Sequence, residues 1–595
     1  MERNESDKAV QEDEERVPFD VVPNPDTQVD QGADEKAVRH SRESDTDEQA
    51  RRGSKDEESG ITAVGDEGAH EKEFEVTWDG GDDDPMNPRS MAYARKWIIV
   101  IIVSASSLCV TCTSALYTST YGQLEPEFGC SRIVATLGLS LFVVGLGLGP
   151  MVMSPLSEFY GRRPIYIGSY TFFLIWLIPC AVAQNIQTML VARFFDGLAG
   201  SAFLSVAGGT VGDLFPKAQL SLPMAFYTAA PFVGPEIGPI VGGFINYYTN
   251  WRWTFYVLLI WSGGMLAAII FLVPETYHPV LLRKKAIKLR KDTGNPAWRA
   301  PIENMNKSVF RTVAWSCVRP FQLLFLEAMC LSLCILSAIL LGILYLFFGA
   351  FPLVFENNHG FVLWQTGLTF IGIFVGMITG VSCDPIWRKN YTRLVNKNGG
   401  VSEPEFRLPP TILGAVLVPI GLFGFGIAQA GRRIPREISD LIGRNMHTAQ
   451  CPLATPPQHH TGPRSATLHD GPGGSPNPWL KKNTQLTPVL QVHWIVPIVF
   501  SGIFGLGNIF VFSGVFTFLV ECYPLYAASA LAANSFARSS FAAAFPLFGV
   551  QMYNKLGYQW ASSLLAFLAL AMAPFPYLFF KYGKRLRKNS KFAQS

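Results

Sequence analysis

From Trp97 onward the chain is built of apolar stretches of about 20 residues, each long enough to cross a hydrocarbon layer roughly 30 Å thick, and nothing else constrains its fold so tightly. They fall at 97–118, 133–153, 164–183, 188–212, 221–246 and 254–273. After a polar gap they resume at 324–350, 361–383, 409–430, 494–520, 527–551 and 559–580. Lipid offers no water to backbone amides and carbonyls, so each stretch is predicted to be a helix that satisfies its own backbone. The expected fold is all-α integral membrane, with twelve transmembrane helices in two six-helix halves.

Charge is segregated around these spans. Residues 1–96 hold 28 acidic and 13 basic side chains, a net of −15 in a chain whose total is +3, so the remainder carries +18. The first 72 residues are rich in Ser, Asp and Glu and have no apolar period. Such composition cannot bury enough surface to fold, and 1–96 is expected to be a disordered acidic cytosolic tail without the apolar core of a signal peptide. The expected order is then a first six-helix half at 97–273, a cytosolic central loop at 274–323, a second half at 324–580 and a basic cytosolic tail at 581–595. Arg162 and Arg163 follow the second span, and six Lys or Arg between Arg283 and Lys291 fill the central loop. Arg388, Lys389 and Arg393 follow the eighth span, and Lys581 to Lys588 the twelfth. With twelve spans all of these lie on one side, which the positive-inside rule makes cytosolic together with both termini.

Residues 431–492 break the pattern. They form a Pro-, Gly-, His- and Arg-rich insert between the ninth and tenth spans, without helical or strand period. A connection this long is unusual. A translated, unspliced intron, another error of the gene model and a genuine disordered outer loop all fit it.

The strongest local signal is Ser154-Pro-Leu-Ser-Glu158-Phe-Tyr-Gly161-Arg162-Arg163, after the second span. An acidic group at a helix end, a tight glycine turn and two arginines can hold neighbouring helix ends by charge-assisted bonds and release them when the bundle rocks. A weaker copy, Gly380-Val-Ser-Cys-Asp384-Pro-Ile-Trp-Arg388-Lys389, follows the second span of the second half. This is internal duplication.

Charges inside spans are costly and usually functional. Arg193 and Asp196 are three apart on the fourth span and share a face. They could tune a carboxylate for loading and releasing a proton, or form a permanent pair that anchors the helix. Glu236, near the middle of the fifth span, could carry a coupled proton or be a structural glutamate bonded to a carbonyl. Around it, Gly234, Gly238, Gly242 and Gly243 make a smooth seam for close packing, and Pro235 and Pro239 permit a kink. Arg538, near the middle of the eleventh span, could bind an anionic substrate group or pair with a carboxylate. Tyr117, Tyr227 and Tyr345 are candidates to line a central cavity, although most intramembrane aromatics face lipid or other helices. Cys109-x-x-Cys112 lies within an apolar helix and reads as packing rather than as a metal or redox site.

These residues carry a resemblance that covers most of 78–592. The loop from Ser154 to Arg163 resembles the signature loop of the major facilitator superfamily, with Ser154 where a glycine is usual. Arg193-Phe-Phe-Asp196-Gly197 resembles its proton-coupling motif, and Gly234-Pro235-Glu236-Ile-Gly238-Pro239-Ile-Val-Gly242-Gly243 the motif that marks its proton antiporters. Several stretches look like the fungal drug:proton antiporter and polyamine transporter branch. They are Trp78-Asp79 with Asp84-Pro85-Met-Asn87-Pro88, Pro274-Glu275-Thr276 with Leu281 to Ala286, and Tyr526 to Ala530 with Arg538-Ser539. The branch normally has a short connection where 431–492 sits.

The resemblance implies a proton-coupled exporter of small amphipathic toxic compounds, working by alternating access. A polyamine:proton antiporter and a non-transporting membrane sensor are the alternatives. No G-x-x-x-x-G-K-[S/T] is present to drive ATP-dependent pumping. The only H-x-x-x-x-D spacing of interest, His40 to Asp45, falls in the acidic tail as a chance pattern, and no enzyme activity or cofactor is expected. The expected partners are a small-molecule substrate, protons and the lipid bilayer, with no nucleic acid, and a monomer suffices. The plasma membrane is the family's usual location, with the vacuolar membrane as the alternative.

Overall fold

The structure, a computed structural model, describes residues 74–216, 219–304, 309–429 and 492–588, together with 590, 592 and 593. The expectations for residues 1–73 and for the insert through 491 lie outside the described residues. Among the described residues, twelve long helices follow the predicted order: α1 Tyr93–Phe128, α2 Arg132–Tyr160, α3 Arg162–Ala181, α4 Ile186–Leu214, α5 Ser221–Tyr248 and α6 Arg252–Leu272. The second set is α7 Ala328–His359, α8 Leu363–Lys397, α9 Pro409–Ile427, α10 Ile495–Cys522, α11 Ala527–Leu556 and α12 Tyr558–Arg587.

Ten of these are long and apolar enough on their own to cross a bilayer; α5 and α11 fall short. The reason is their content. α5 carries three prolines and Glu236, and α11 carries Asn534, Arg538 and many small residues. Each is flanked both by its own half and by the other, and a helix shielded from lipid can afford polar and small groups. On the outer surface, by contrast, Ile260 is 73% and Phe271 83% exposed, which suits hydrocarbon and not water.

The halves repeat one packing plan. In the first, α1 packs on α5, α2 on α4, and α3 on both α4 and α6. In the second, α7 packs on α11, α8 on α10, and α9 on both α10 and α12. Between halves, α2 meets α11 and α5 meets α8, an exchange of equivalent helices about a pseudo-two-fold. Glycines make this possible at the closest crossings. A Cβ on Gly197 or Gly376 would strike the backbone of Phe142 or Gly502 on the facing helix.

Three features differ from the sequence expectation. The helices overrun the apolar windows, α8 to Lys397 and α12 to Arg587, because hydropathy marks only the lipid-facing core of a helix. The central loop holds two helices, His278–Thr293 and Val309–Leu326; the second ends past the expected start of the seventh span at 324, and α7 begins only at Ala328. That second helix packs against both α2 and α11.

Third, the segment just before α1 is folded and is clasped to the central-loop helix. Lys285 Nζ donates to Asp84 Oδ2 (2.6 Å), Asp79 Oδ2 (2.8 Å) and the Thr77 carbonyl (3.0 Å), and sits over the Trp78 ring. Backbone bonds join Val76 N to Arg299 O (2.9 Å) and Arg299 N to Phe74 O (3.0 Å). Val76, Ala286 and Ala300 are buried together under Leu282, Leu289 and Trp298. Burial pushes the Asp84 carboxyl up, but its bonds to Lys285 and to the Met86 and Asp79 amides outweigh this and hold it below the usual carboxylate range. For Lys285 burial pulls down, and the two carboxylates outweigh it and hold the ammonium above the usual lysine range.

Candidate functional site: buried charges between the halves

Arg193 and Asp196 are completely buried on α4. The Arg193 guanidinium lies 3.6 Å from Asp196 Oδ2 and donates to the α1 carbonyls of Thr113 (3.2 Å) and Ser114 (3.4 Å). It is sandwiched between the rings of Tyr117 (4.6 Å) and Phe142 (4.4 Å). Planar faces on both sides and carbonyls at the edge suit a guanidinium and not an ammonium. The Tyr117 hydroxyl in turn donates to the Ala135 carbonyl, so this tyrosine braces α1 against α2 beneath Arg193.

From Ser114 the polar line crosses to the other half. Its hydroxyl lies 3.0 Å from that of Tyr345 on α7, and Tyr345 is within Coulombic range of Glu236, Arg538 and Arg193. Glu236 is completely buried on α5, and neither carboxylate oxygen has a hydrogen-bond partner among the described residues. A Cβ on Gly234, Gly238 or Gly242 would collide with Thr111, Ala115 or Leu116 of α1, whereas Gly243 faces Leu363 and Trp364 of α8, in the other half. The Pro239 carbonyl sits against Gly367 of α8, and α5 runs unbroken through Pro231, Pro235 and Pro239. Tyr227, nearer the start of α5, spends its hydroxyl on the Phe203 and Leu204 carbonyls of α4.

Arg538 differs from Arg193. Among the described residues it makes no ion pair and no hydrogen bond, and its guanidinium is ringed by Phe232 of α5 and by Phe512 and Phe516 of α10, at 5.5, 5.7 and 4.8 Å.

The loop arginines occupy defined sockets at the ends of the helices. Arg162 pairs with Asp213 at the end of α4 (3.3 Å), donates to Ser157 Oγ (2.6 Å) and covers the Tyr277 ring. Glu158 lies in the electrostatic neighbourhood of Tyr277, whose hydroxyl is pushed up to about 12, by burial first and by the nearby acids second. Gly161, at φ +95°, turns the chain so that the amides of Arg162 and Arg163 both point at the Glu275 carboxylate, 2.8 and 3.2 Å away. A side chain at Gly161 would be strained and would meet that carboxylate. Arg163 reaches the Ile270 carbonyl (2.8 Å). In the second half Asp384 and Arg388 pair within one helix (2.9 Å).

The family model described as Major Facilitator Superfamily matches residues 103–432, more than half of the chain. The chain belongs to the major facilitator superfamily. It is 51% identical over 529 residues to "Efflux pump atB" of Aspergillus terreus, covering 88% of this chain and 90% of that protein. It is 38% identical over 522 residues to "Probable drug/proton antiporter YHK8" of Saccharomyces cerevisiae, covering 87% and 90%. To "Major facilitator superfamily multidrug transporter mdrA" of Aspergillus fumigatus it is 37% identical over 527 residues, covering 88% and 77%. Among solved structures, the D-xylose-proton symporter superposes with a TM-score of 0.51 at 15% identity, over 82% of this chain and 98% of the other; at that identity the likeness concerns the fold alone.

Within this superfamily member, the structure adds partners that local motifs do not reveal. Arg407 lies just before α9 and Arg162 opens α3, and Arg407 pairs with Glu521 at the end of α10 (2.7 Å) as Arg162 pairs with Asp213 at the end of α4. Likewise Glu275, after α6, holds the start of α3, while Glu405, before α9, takes two bonds from Arg587 at the end of α12 (2.8 and 3.0 Å). Glu521 sits at a helix end, where the sequence gives no reason to single it out. Its signal is its place, equivalent to Asp213 in the repeat.

Proposed function

We propose that the chain is a proton-coupled efflux transporter, an antiporter that exports small amphipathic toxic compounds such as drugs or secondary metabolites. The reading is supported by relatives named as an efflux pump, a drug/proton antiporter and a multidrug transporter, each matched over most of this chain. The observation that carries it is Glu236, a completely buried carboxyl group without a hydrogen-bond partner, on the helix that packs between the halves. A lone carboxylate in that setting is far more costly than the neutral acid. A proton bound there must therefore be exchanged with the substrate or with water as the halves rock. One proton falling through about 100 mV supplies about 2.3 kcal/mol before any pH gradient is added.

In this reading Arg193 and Asp196 hold α4 to α1 and relay the protonation state toward Ser114 and Tyr345. The charged sockets of Glu158, Gly161, Arg162 and Arg163, and of Asp384 and Arg388, latch the cytosolic helix ends. Both termini are cytosolic, the membrane is the plasma membrane, and one chain is the working unit.

The test is transport in inside-out vesicles from a yeast lacking its own pumps, with dyes, azole drugs and spermidine, and with or without an imposed gradient, acid inside. Uptake that needs the gradient, ignores ATP and fails in Glu236→Gln is expected. Uptake that survives without a gradient, or in Glu236→Gln, overturns the coupling assignment.

A further inference from the structure

Two arginines lie deep in the bundle, and they are treated differently. Arg193 has a carboxylate, two carbonyls and two rings around it. Arg538, near the middle of α11, has rings only. Its Nε is fully buried and unbonded, while its Nη1 and Nη2 stay accessible and take no protein partner among the described residues. Among the described residues, the titratable groups near enough to act on its charge are Cys334, Tyr345 and Tyr227, and none of these is a carboxylate. A guanidinium inside the membrane span with no counter-ion among the described residues is costly, and an intramembrane cation left in that state marks a substrate path.

The surroundings say what the missing anion looks like. Phe232 and Phe512 stack face to face, with centroids 4.5 Å apart and planes 11° from parallel, and Phe516 tilts against Phe232 at 6.0 Å. Phe232 belongs to the first half and Phe512, Phe516 and Arg538 to the second, so the cage is assembled from both. The inner faces of Phe232 and Phe512 are filled by each other, so their edges and outer faces offer a flat apolar body its contact, while the exposed Nη edge accepts the two oxygens of an acid. A polycation would instead meet a fixed positive charge at this point.

We infer that Arg538, with Phe232, Phe512 and Phe516, is the recognition site for an amphipathic organic anion, an aromatic or otherwise flat acid whose carboxylate or enolate sits on the guanidinium. The inference rests on the export reading and deepens it, naming the substrate class as weak organic acids. Because the cage draws on both halves, rocking them apart dismantles the ring wall and leaves the anion on Arg538 alone, which loosens it.

The test uses the full chain in lipid nanodiscs and isothermal titration with three matched probes: 2-naphthoate, 2-naphthamide and 2-naphthylmethylammonium. A charge-assisted bond lost with the acid predicts that the carboxylate binds on the order of ten- to a hundredfold tighter than the amide, with the ammonium weakest. Arg538→Gln is expected to erase the gap between acid and amide, and Phe512→Ala to weaken both alike. Equal affinities, no affinity for any of the three, or an acid preference that survives in Arg538→Gln overturns the inference. The unmutated series decides the matter even if Arg538→Gln does not fold. Gradient-driven uptake of the same probes separates the two readings. Movement of the amide or ammonium in preference to the acid sinks the anion site and keeps the exporter, as does failure of all three while the dyes, azoles or spermidine still move; failure of every compound to move under any gradient sinks the exporter.

Discussion

Replacing Gly238 with alanine tests how tightly α1 and α5 must close. The added methyl carbon would stand 2.6 Å from Ala115 Cβ and 2.8 Å from the Leu116 amide nitrogen. Carbon atoms pack at about 3.5–4.0 Å, so the helices must part by roughly 1 Å. The obstacle is backbone and a Cβ, which cannot swing aside as a side-chain tip would. Gly234 lies still closer to Thr111, and Gly242 lies against Ser119 and Leu116 at 2.8 and 3.1 Å, so one bump strains the whole seam. Overpacking of this kind costs about 1–3 kcal/mol, and with rigid neighbours the upper end applies. Gly263→Ala, on α6, is the matched control, because nothing lies within 4 Å of its new Cβ. There the alanine removes about 0.5–1 kcal/mol of helix penalty. Both variants, reconstituted in liposomes, would be followed by thermal unfolding and by passive proton leak with an internal pH dye. Gly238→Ala is expected to unfold earlier and leak more, and Gly263→Ala to do neither. If the two behave alike in both assays, the seam is not the seal.

Glu236→Gln should reach the membrane in normal amount and lose gradient-dependent export; export at the normal rate would remove Glu236 from coupling. Arg193→Met strands Asp196 in a dry site, and breaking a buried pair costs about 3–5 kcal/mol, read as a lower unfolding temperature in detergent. Adding Asp196→Asn should recover much of that stability without recovering transport, and recovery of both would make the pair a mere anchor. For the pre-α1 clasp, the depressed Asp84 contributes stability above the ordinary carboxylate range that is lost as pH falls through its lowered value. The elevated Lys285 contributes stability below the ordinary lysine range that is lost as pH rises through its raised value. Hydrogen-exchange protection factors at 74–88, corrected for the intrinsic pH dependence of amide exchange, should therefore be flat across neutral pH. A loss of protection across neutral pH would refute this account of the clasp.

Which parts were legible in sequence follows from the range of each interaction. Helices in lipid satisfy their own backbone, so the spans announce themselves locally, and a charge such as Glu236 is conspicuous against them. The glycine seam was legible as a seam but not as to its partner. Three of its members face α1, whereas Gly243 faces α8 in the other half. Long-range pairs were invisible. Arg162 finds Asp213 51 residues away, and Arg407 finds Glu521 114 away, with no periodicity linking them. The aromatic candidates show the same limit. A helical wheel gives a face without naming the neighbour, and Tyr117 and Tyr227 prove to hold carbonyls of adjacent helices while Phe232, Phe512 and Phe516 surround Arg538.

The clasp before α1 has a consequence for how such chains can diverge. Asp79 and Asp84 precede the first helix, Lys285 follows the sixth, and one ammonium serves both acids. Selection therefore sees the two stretches as one character, although some 200 residues separate them. A hybrid made with a related pump should work when both stretches come from the same parent and fail when the junction falls between them, however well its helices match.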